Sequence, residues 1–170
     1  MKVLVSDTSV LVDLERGALL EAAFRLSADL AVPDLLFERE LRDHGGERLV
    51  RLGVRIEELT GDGVRRAAAY RRERRALSLP DAFALELARY HGWVLLTGDG
   101  TLRDMARREQ VECHGLLWLL DRMQEEAVVA VQALHDGLQR IEAHPRCRLP
   151  RLEVRIRLGR YAAILNRERR

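Results

Sequence analysis

Cysteine, lysine, aromatic side chains and long apolar runs are all scarce in this 170-residue chain. The two cysteines, Cys113 and Cys147, provide neither a disulfide framework nor a zinc-ligand spacing, and they suit a reducing compartment. The longest apolar stretches, such as Leu116–Leu120, fall far short of the ~18 residues that span a bilayer. The N-terminal stretch carries Asp7 and lacks a small-residue cleavage site, so it does not read as a signal peptide, and a cytoplasmic protein is expected. Three tyrosines are too few for a base-stacking platform, and no G-x-x-x-x-G-K-[ST] loop supports nucleotide triphosphate hydrolysis. The five histidines (His44, His91, His114, His135, His144) occur at no metal-ligand spacing. Lys2 is the only lysine, so all but one of the 29 basic residues are arginine. A coding bias alone would produce that, but arginine stays charged at any ordinary pH and can fork onto phosphate oxygens.

What is present is a globular composition. Hydrophobic residues make up 47% and the net charge is +2, which excludes intrinsic disorder and gives enough length for one well-buried domain. Met1–Val5 reads as a buried strand ending at Ser6-Asp7-Thr8, followed by helical spacing over Ser9–Glu15 and Ala18–Ser27. Asp29–Val32, Val54–Leu59, Trp93–Leu96 and Gln110–Cys113 read as further strands. Between them lie a helix from Leu35 to about His44, ended by Gly45-Gly46, and, after a Gly61-Asp62-Gly63 turn, an arginine-studded helix over Val64–Ala76. Ser78-Leu79-Pro80-Asp81 starts an amphipathic helix that ends at His91-Gly92, and Thr101–Glu109 and Gly115–Gln124 are helical. Strands alternating with helices imply right-handed crossovers and a mostly parallel sheet of four to five strands covered on both faces, an α/β fold. From Glu125 on the strand signals stop. Val128–Ala143 and Leu152–Asn166 read as two helices, with residues 144–150 joining them. Trp93 and Trp118 are expected in the core.

Four carboxylates stand where a core would not choose them. Asp7 ends the first strand, Glu40 lies on the helix after the second, Asp81 shares a helical face with Leu85 and Ala88, and Asp99 follows the fourth strand. Taken singly, each has a plain reading as a cap, a turn residue or a solvated surface charge, and Ser78-x-x-Asp81 has capping-box spacing. Taken together, at least three fall on one edge of the sheet, where α/β ligand sites lie. Ionised acids crowded there repel one another and call for a cation. Hard oxygen donors with no nearby His or Cys suit Mg²⁺ or Mn²⁺, which can activate water for an in-line phosphoryl displacement.

Four segments then resemble one family. Val3-Leu4-Val5-Ser6-Asp7-Thr8-Ser9-Val10-Leu11 looks like the opening of PIN-domain nucleases, and Val32-Pro33 to Phe37-Glu38-Arg39-Glu40-Leu41 is similar to their second acidic motif. Leu79-Pro80-Asp81-Ala82-Phe83-Ala84-Leu85 resembles the third motif and Leu95-Leu96-Thr97-Gly98-Asp99-Gly100-Thr101-Leu102-Arg103 the fourth. The four occur in order from Met1 to about Met123. The resemblance implies a three-layer α/β/α domain over residues 1–124, with a helical C-terminal extension over 125–170 that packs or oligomerises. It also implies Mg²⁺- or Mn²⁺-dependent endoribonuclease activity on RNA phosphodiesters. Many members are toxins of type II toxin–antitoxin pairs, usually homodimers neutralised by a small antitoxin. Carried over, Asp7, Glu40, Asp81 and Asp99 become the catalytic, metal-binding acids, with Glu38 as the alternative to Glu40. Thr8 and Thr97 become orienting hydroxyls, and Asp104 the polar residue after the fourth acid.

Arg65, Arg66, Arg71, Arg72, Arg74 and Arg75 fall on one expected helix. They form either a solvated face or a phosphate-tracking stripe, and Arg71, Arg72, Arg74, Arg75 and Arg103 are the candidates for holding RNA. A second cluster, Arg146, Arg148, Arg151, Arg155 and Arg157, admits RNA contact, an interface or plain solvation. A non-catalytic scaffold that binds RNA or a protein partner is the competing reading. A phosphoacceptor signalling domain fits poorly, because Lys2 lies at the wrong end of the chain for the lysine that class needs.

Overall fold

The computed structural model describes residues 2–169. A five-stranded, all-parallel sheet is built from β1 (Lys2–Ser6), β2 (Ala28–Pro33), β3 (Arg55–Glu57), β4 (Val94–Leu96) and β5 (Cys113–His114), in the order β3-β2-β1-β4-β5. The chain steps outward from β1 to β3, then returns to place β4 on the other side of β1, where Ser6 pairs with Leu96. This reversal makes a topological switch point between β1 and β4, and the crevice beyond their carboxyl ends is where such sheets bind ligands.

Strand residues alternate between two apolar layers, as a period of two requires. Leu4, Val94 and Leu96 face one layer, packed by α1 (Thr8–Arg16), α2 (Leu20–Ala23), α3 (Asp34–Leu36) and α8 (Leu116–Glu125). Val5 and Leu95 face the other, packed by α5 (Gly61–Glu73), α6 (Leu79–His91) and α7 (Gly100–Arg108). Helix α6 is apolar on nearly every side and buries Ala82 through Ala88, including Glu86. That buried carboxylate takes two 2.7 Å hydrogen bonds from Arg89 and lies 3.4 Å from the Tyr70 hydroxyl, which ties α6 to α5.

The expected helix from Leu35 to His44 takes a different form. Helix α3 opens into a wider π-type segment, Phe37–Gly46, which kinks at His44 and Gly45 (φ 92°) and restarts as α4 (Glu47–Leu52), an element the sequence reading does not contain. Gly61-Asp62-Gly63 is not a free turn. It is the first turn of α5, because the Thr60 hydroxyl accepts from the Gly63 amide at 3.1 Å and caps the helix. Only residues 20–23 of the expected Ala18–Ser27 helix are helical.

Helices α9 (Val131–Ala143) and α10 (Arg151–Glu168) belong to the same packed body. Leu134, Leu138, Ile141, Val154 and Tyr161 join the apolar layer on the α1 side. Helix α9 rests on α1 and α8, and α10 on α9. The approach of α9 to the end of α1 depends on two missing side chains: a Cβ on Gly137 would lie 2.7 Å from the Gly17 carbonyl oxygen, and one on Gly17 would lie 2.8 Å from Ile141. No helix of the described residues is long and apolar enough to cross a membrane.

Candidate active site

Asp7 leaves β1 and caps α1. Its Oδ1 accepts from the Val10 amide at 3.0 Å and from Ser9 Oγ at 2.8 Å, and Thr97 Oγ1 donates a short hydrogen bond to its Oδ2. Thr97 follows β4, is fully buried, and also accepts from the Asp99 amide at 2.9 Å, so one hydroxyl links the two strand ends. Asp99 in turn caps α7 by accepting from the Leu102 amide at 2.8 Å. Capping and site geometry therefore coincide at both residues. Asp81 sits in the first turn of α6, where Ser78 Oγ accepts from its amide at 3.1 Å. Glu40 comes from the π-type segment and accepts a short hydrogen bond from Thr8 Oγ1.

Asp7, Glu40, Asp81 and Asp99 line one cavity of about 660 Å³ beyond the switch point. Among the described residues none of the four forms a salt bridge, whereas Glu38 is committed to Arg42 on the exposed face of its helix. Of these two, Glu40 lines the cleft and Glu38 does not. Burial of Asp7, which is 2% exposed, pushes its carboxyl above the usual carboxylate range, against the hydrogen bonds from Thr97, Val10 and Ser9. Burial also pushes Asp81 up, to about 6, and the charges of Asp7, Glu40 and Asp99 add to the rise.

Such a set suits a hard cation. The donors are all oxygen, none of the four acids is ion-paired although arginines line the same cavity, and burial and neighbouring acids penalise ionisation of Asp81. Among the described residues no three His, Cys, Asp or Glu side chains converge closely enough to hold an ion as they stand. The Asp7 oxygens point instead to Ser9, Val10 and Thr97, so coordination requires carboxylates to turn inward.

The remaining candidates divide. Thr8 and Arg103 line the cavity, and Arg103 Nη2 donates to the Thr97 carbonyl at 3.2 Å. Asp104 lies outside it, exposed and 3.6 Å from Arg107. The arginines of residues 65–75 do not share one helix, because α5 ends at Glu73, Arg74 caps it with extended backbone and Arg75 lies beyond. Arg71, Arg72 and Arg75 line a separate hollow with Leu79, two positions before Asp81. Arg65 pairs with Asp62, and Arg66 approaches Glu86 at 3.9 Å.

Both tryptophans are half-buried and pack against the apolar layers from their edges, not inside them. Trp93 is stacked on His91, and Trp118, half-buried against His114 at 4.1 Å, reaches the cavity wall. Two site residues went unassigned in the sequence. Ser9 donates to Asp7 and accepts from the Gly98 amide at 3.4 Å, and its place two residues after the first acid was the available signal. Arg16 also lines the cavity, where it is held by Asp13 at 2.9 Å.

No curated protein matches the chain. Among solved structures, a chain described as "Toxin-antitoxin complex from Klebsiella pneumoniae" is similar at 24% identity over 56% of this chain and 86% of that one, with a TM-score of 0.41. A family model described as a PIN domain matches residues 3–160, from β1 into α10, and so takes in every acid at the cleft and most of the two C-terminal helices. The parallel α/β/α architecture agrees, and the chain belongs to the PIN-domain family.

Proposed function

We propose that the protein is a metal-dependent endoribonuclease that hydrolyses RNA phosphodiester bonds and serves as the toxin of a type II toxin–antitoxin pair. One observation carries the enzymatic reading: four carboxylates from four separate segments line a single cavity at the switch point, and among the described residues none of them is held in a salt bridge. A core does not accumulate such charge without use for it, since each ionised acid raises the cost of the next. The toxin assignment rests on the resemblance of the four motifs. Its partners would be RNA, a small antitoxin and a second copy of the chain, in the cytoplasm.

Asp7, Asp81, Asp99 and Glu40 would hold Mg²⁺ or Mn²⁺. Bound there, the ion would supply Lewis acidity, neutralising phosphodiester charge and lowering the pKa of water. The chain's own groups do the rest. Ser9 donates to one oxygen of Asp7 and Thr97 to the other. Thr8 holds the Glu40 carboxylate at the cleft. Asp81, whose ionisation burial and the charges of Asp7, Glu40 and Asp99 oppose, would be drawn into its charged form by a cation in the cleft. Arg103 and the hollow of Arg71, Arg72 and Arg75 offer charge to flanking phosphates, with Arg74 beside them at the helix end.

The test is cleavage of RNA by purified protein with Mn²⁺. Asp7→Asn is expected to lower the rate by at least ~100-fold, with an unchanged circular dichroism spectrum because Asn also caps helices. Full activity in that variant overturns the site, and products with 2′,3′-cyclic ends instead of 5′-phosphates contradict hydrolysis by this route. Co-purification with the product of an adjacent small reading frame tests the toxin role.

A further inference from the structure

Residues 144–150, which join α9 to α10, reach back to the cleft. Arg146, Arg148, Leu149 and Pro150 line the same cavity as the four acids, from a part of the chain more than forty residues past the last of them. Among the described residues neither Arg146 nor Arg148 pairs with a carboxylate, and both are exposed. Their neighbours behave differently. Arg157 and Arg160 are committed to Asp121 on α8, at 2.6 Å and 2.5 Å, and so clamp α10 to the body. The fold thus uses one pair of tail arginines as anchors and leaves another pair at the cleft.

The connection is held in shape. The Arg146 amide donates to His144 Nδ1 at 3.1 Å and the Cys147 amide to the His144 carbonyl at 2.9 Å. Leu149 and Cys147 pack against the apolar layer, and the close contact of Gly137 with Gly17 fixes the middle of α9. A cavity walled on one side by unpaired acids repels a phosphodiester unless positive charge is fixed nearby. The held backbone of residues 144–150 carries that charge at the cleft before any ligand arrives, so only the two side chains need ordering on binding. Leu149 and Pro150, with Leu117 and Trp118 of the same cavity lining, add apolar surface against which a base can lie.

We propose that the α9–α10 connection is a substrate-holding jaw, in which Arg146 and Arg148 grip RNA phosphates flanking the bond presented to the acids. The proposal rests on the nuclease reading. The C-terminal helices would then belong to the substrate site.

The test uses the full chain carrying Asp7→Asn, so that RNA is bound but not cut, and a fluorescent single-stranded oligoribonucleotide read by anisotropy at several salt concentrations. Arg146→Gln/Arg148→Gln on that background is expected to weaken binding roughly tenfold and to flatten the slope of log K against log[salt] by about 1.4, since each lost single-strand phosphate contact removes ~0.7. A charge-matched control, Arg155→Gln/Arg167→Gln, on exposed positions of α10, is expected to stay within about twofold. Unchanged or tighter binding by the jaw variant, with wild type still cleaving RNA, overturns the jaw and leaves the nuclease intact. If wild type cleaves no RNA and the Asp7→Asn parent binds none, the nuclease reading itself fails and the jaw falls with it.

Discussion

Asp81→Asn should make the metal-free protein more stable at neutral pH, although it removes a conspicuous polar residue of the cleft. The Asp81 carboxyl lies at about 6 in the folded protein against an ordinary value of 3.8. A folded-state value above the unfolded one means that the native state holds the proton over the interval between them. Stability is therefore greatest below about pH 4 and declines as the pH rises to about 6, where the native carboxylate must ionise beside Asp7, Glu40 and Asp99. Two pH units correspond to a ceiling of about 3 kcal/mol. Asp81 borders an open cleft, so solvent screening reduces this to roughly 1–2 kcal/mol. The favourable interaction of a first-turn acid with the helix dipole, about 0.3–1 kcal/mol, works the other way and favours the lower end.

The assay is urea denaturation or thermal melting in chelator at pH 4 and pH 7.5. Wild type and Asp81→Asn should melt together at the lower pH. At the higher pH the variant should melt above wild type by about 2–4 °C, from ~1 kcal/mol in a domain of this size. With Mn²⁺ the order should reverse, because only wild type keeps the full donor set. Parallel pH dependences, or a wild type more stable than the variant at pH 7.5 in chelator, would refute the account of Asp81 as a carboxylate raised by burial and neighbouring charge.

Manganese alone should raise the melting point of wild type, by the equivalent of ~2.7 kcal/mol at a hundredfold excess over Kd, and Asp7→Asn should abolish the shift; no shift at millimolar metal would favour a non-catalytic scaffold. Gly137→Ala places a methyl 2.7 Å from both the Gly17 carbonyl oxygen and Leu19 Cδ1, and overpacking of that kind costs about 1–3 kcal/mol. Denaturant melts check the loss, and faster hydrogen exchange should appear in α9. The Tyr161 hydroxyl is buried without a hydrogen-bond partner among the described residues, with Arg160 over its ring at 5.4 Å. Tyr161→Phe should therefore leave stability unchanged or raise it by about 1 kcal/mol, and a clear loss in the same melts would reveal a partner.

Strands β1, β2 and β4 were legible because strands buried on both faces read as uninterrupted apolar runs. The acids at their ends were legible for the same reason: a carboxylate directly after such a run has few places to go. Other features depended on contacts that local pattern does not carry. Gly61-Asp62-Gly63 has turn composition, yet the Thr60 cap and the packing of Gly63 beside Leu59 draw it into α5. Gly45-Gly46 reads as a stop, but the chain only kinks there and continues into α4. Asp104 has a suitable offset from Asp99, yet helical geometry turns it away from the cleft toward Arg107. Trp118 has the size and apolarity of a core residue, and stacking on His114 holds it at the cavity wall instead.

The two readings of Asp7 and Asp99, as helix caps and as site acids, were never exclusive, and their coincidence bears on how the cleft tolerates its charge. Helices α1, α6 and α7 begin there, capped by Asp7, Ser78 and Asp99. Each contributes a positive dipole end and first-turn amides directed toward the acids, worth about 0.3–1 kcal/mol per interaction where solvent reaches. Three such ends offset part of the repulsion among the carboxylates without placing a mobile cation in the site. Arginine forks in their place would neutralise the acids and occupy the space a metal needs. Helix ends leave the oxygens available, and they favour an incoming phosphate as readily as a carboxylate. Ser9 and Thr97 satisfy the Asp7 oxygens with hydrogen bonds that would have to be given up or shared for that carboxylate to turn toward a metal. On the proposed function, fixed dipoles beneath the acids, with guanidinium groups at the rim, would let one crevice hold negative side chains and still admit an anionic polymer.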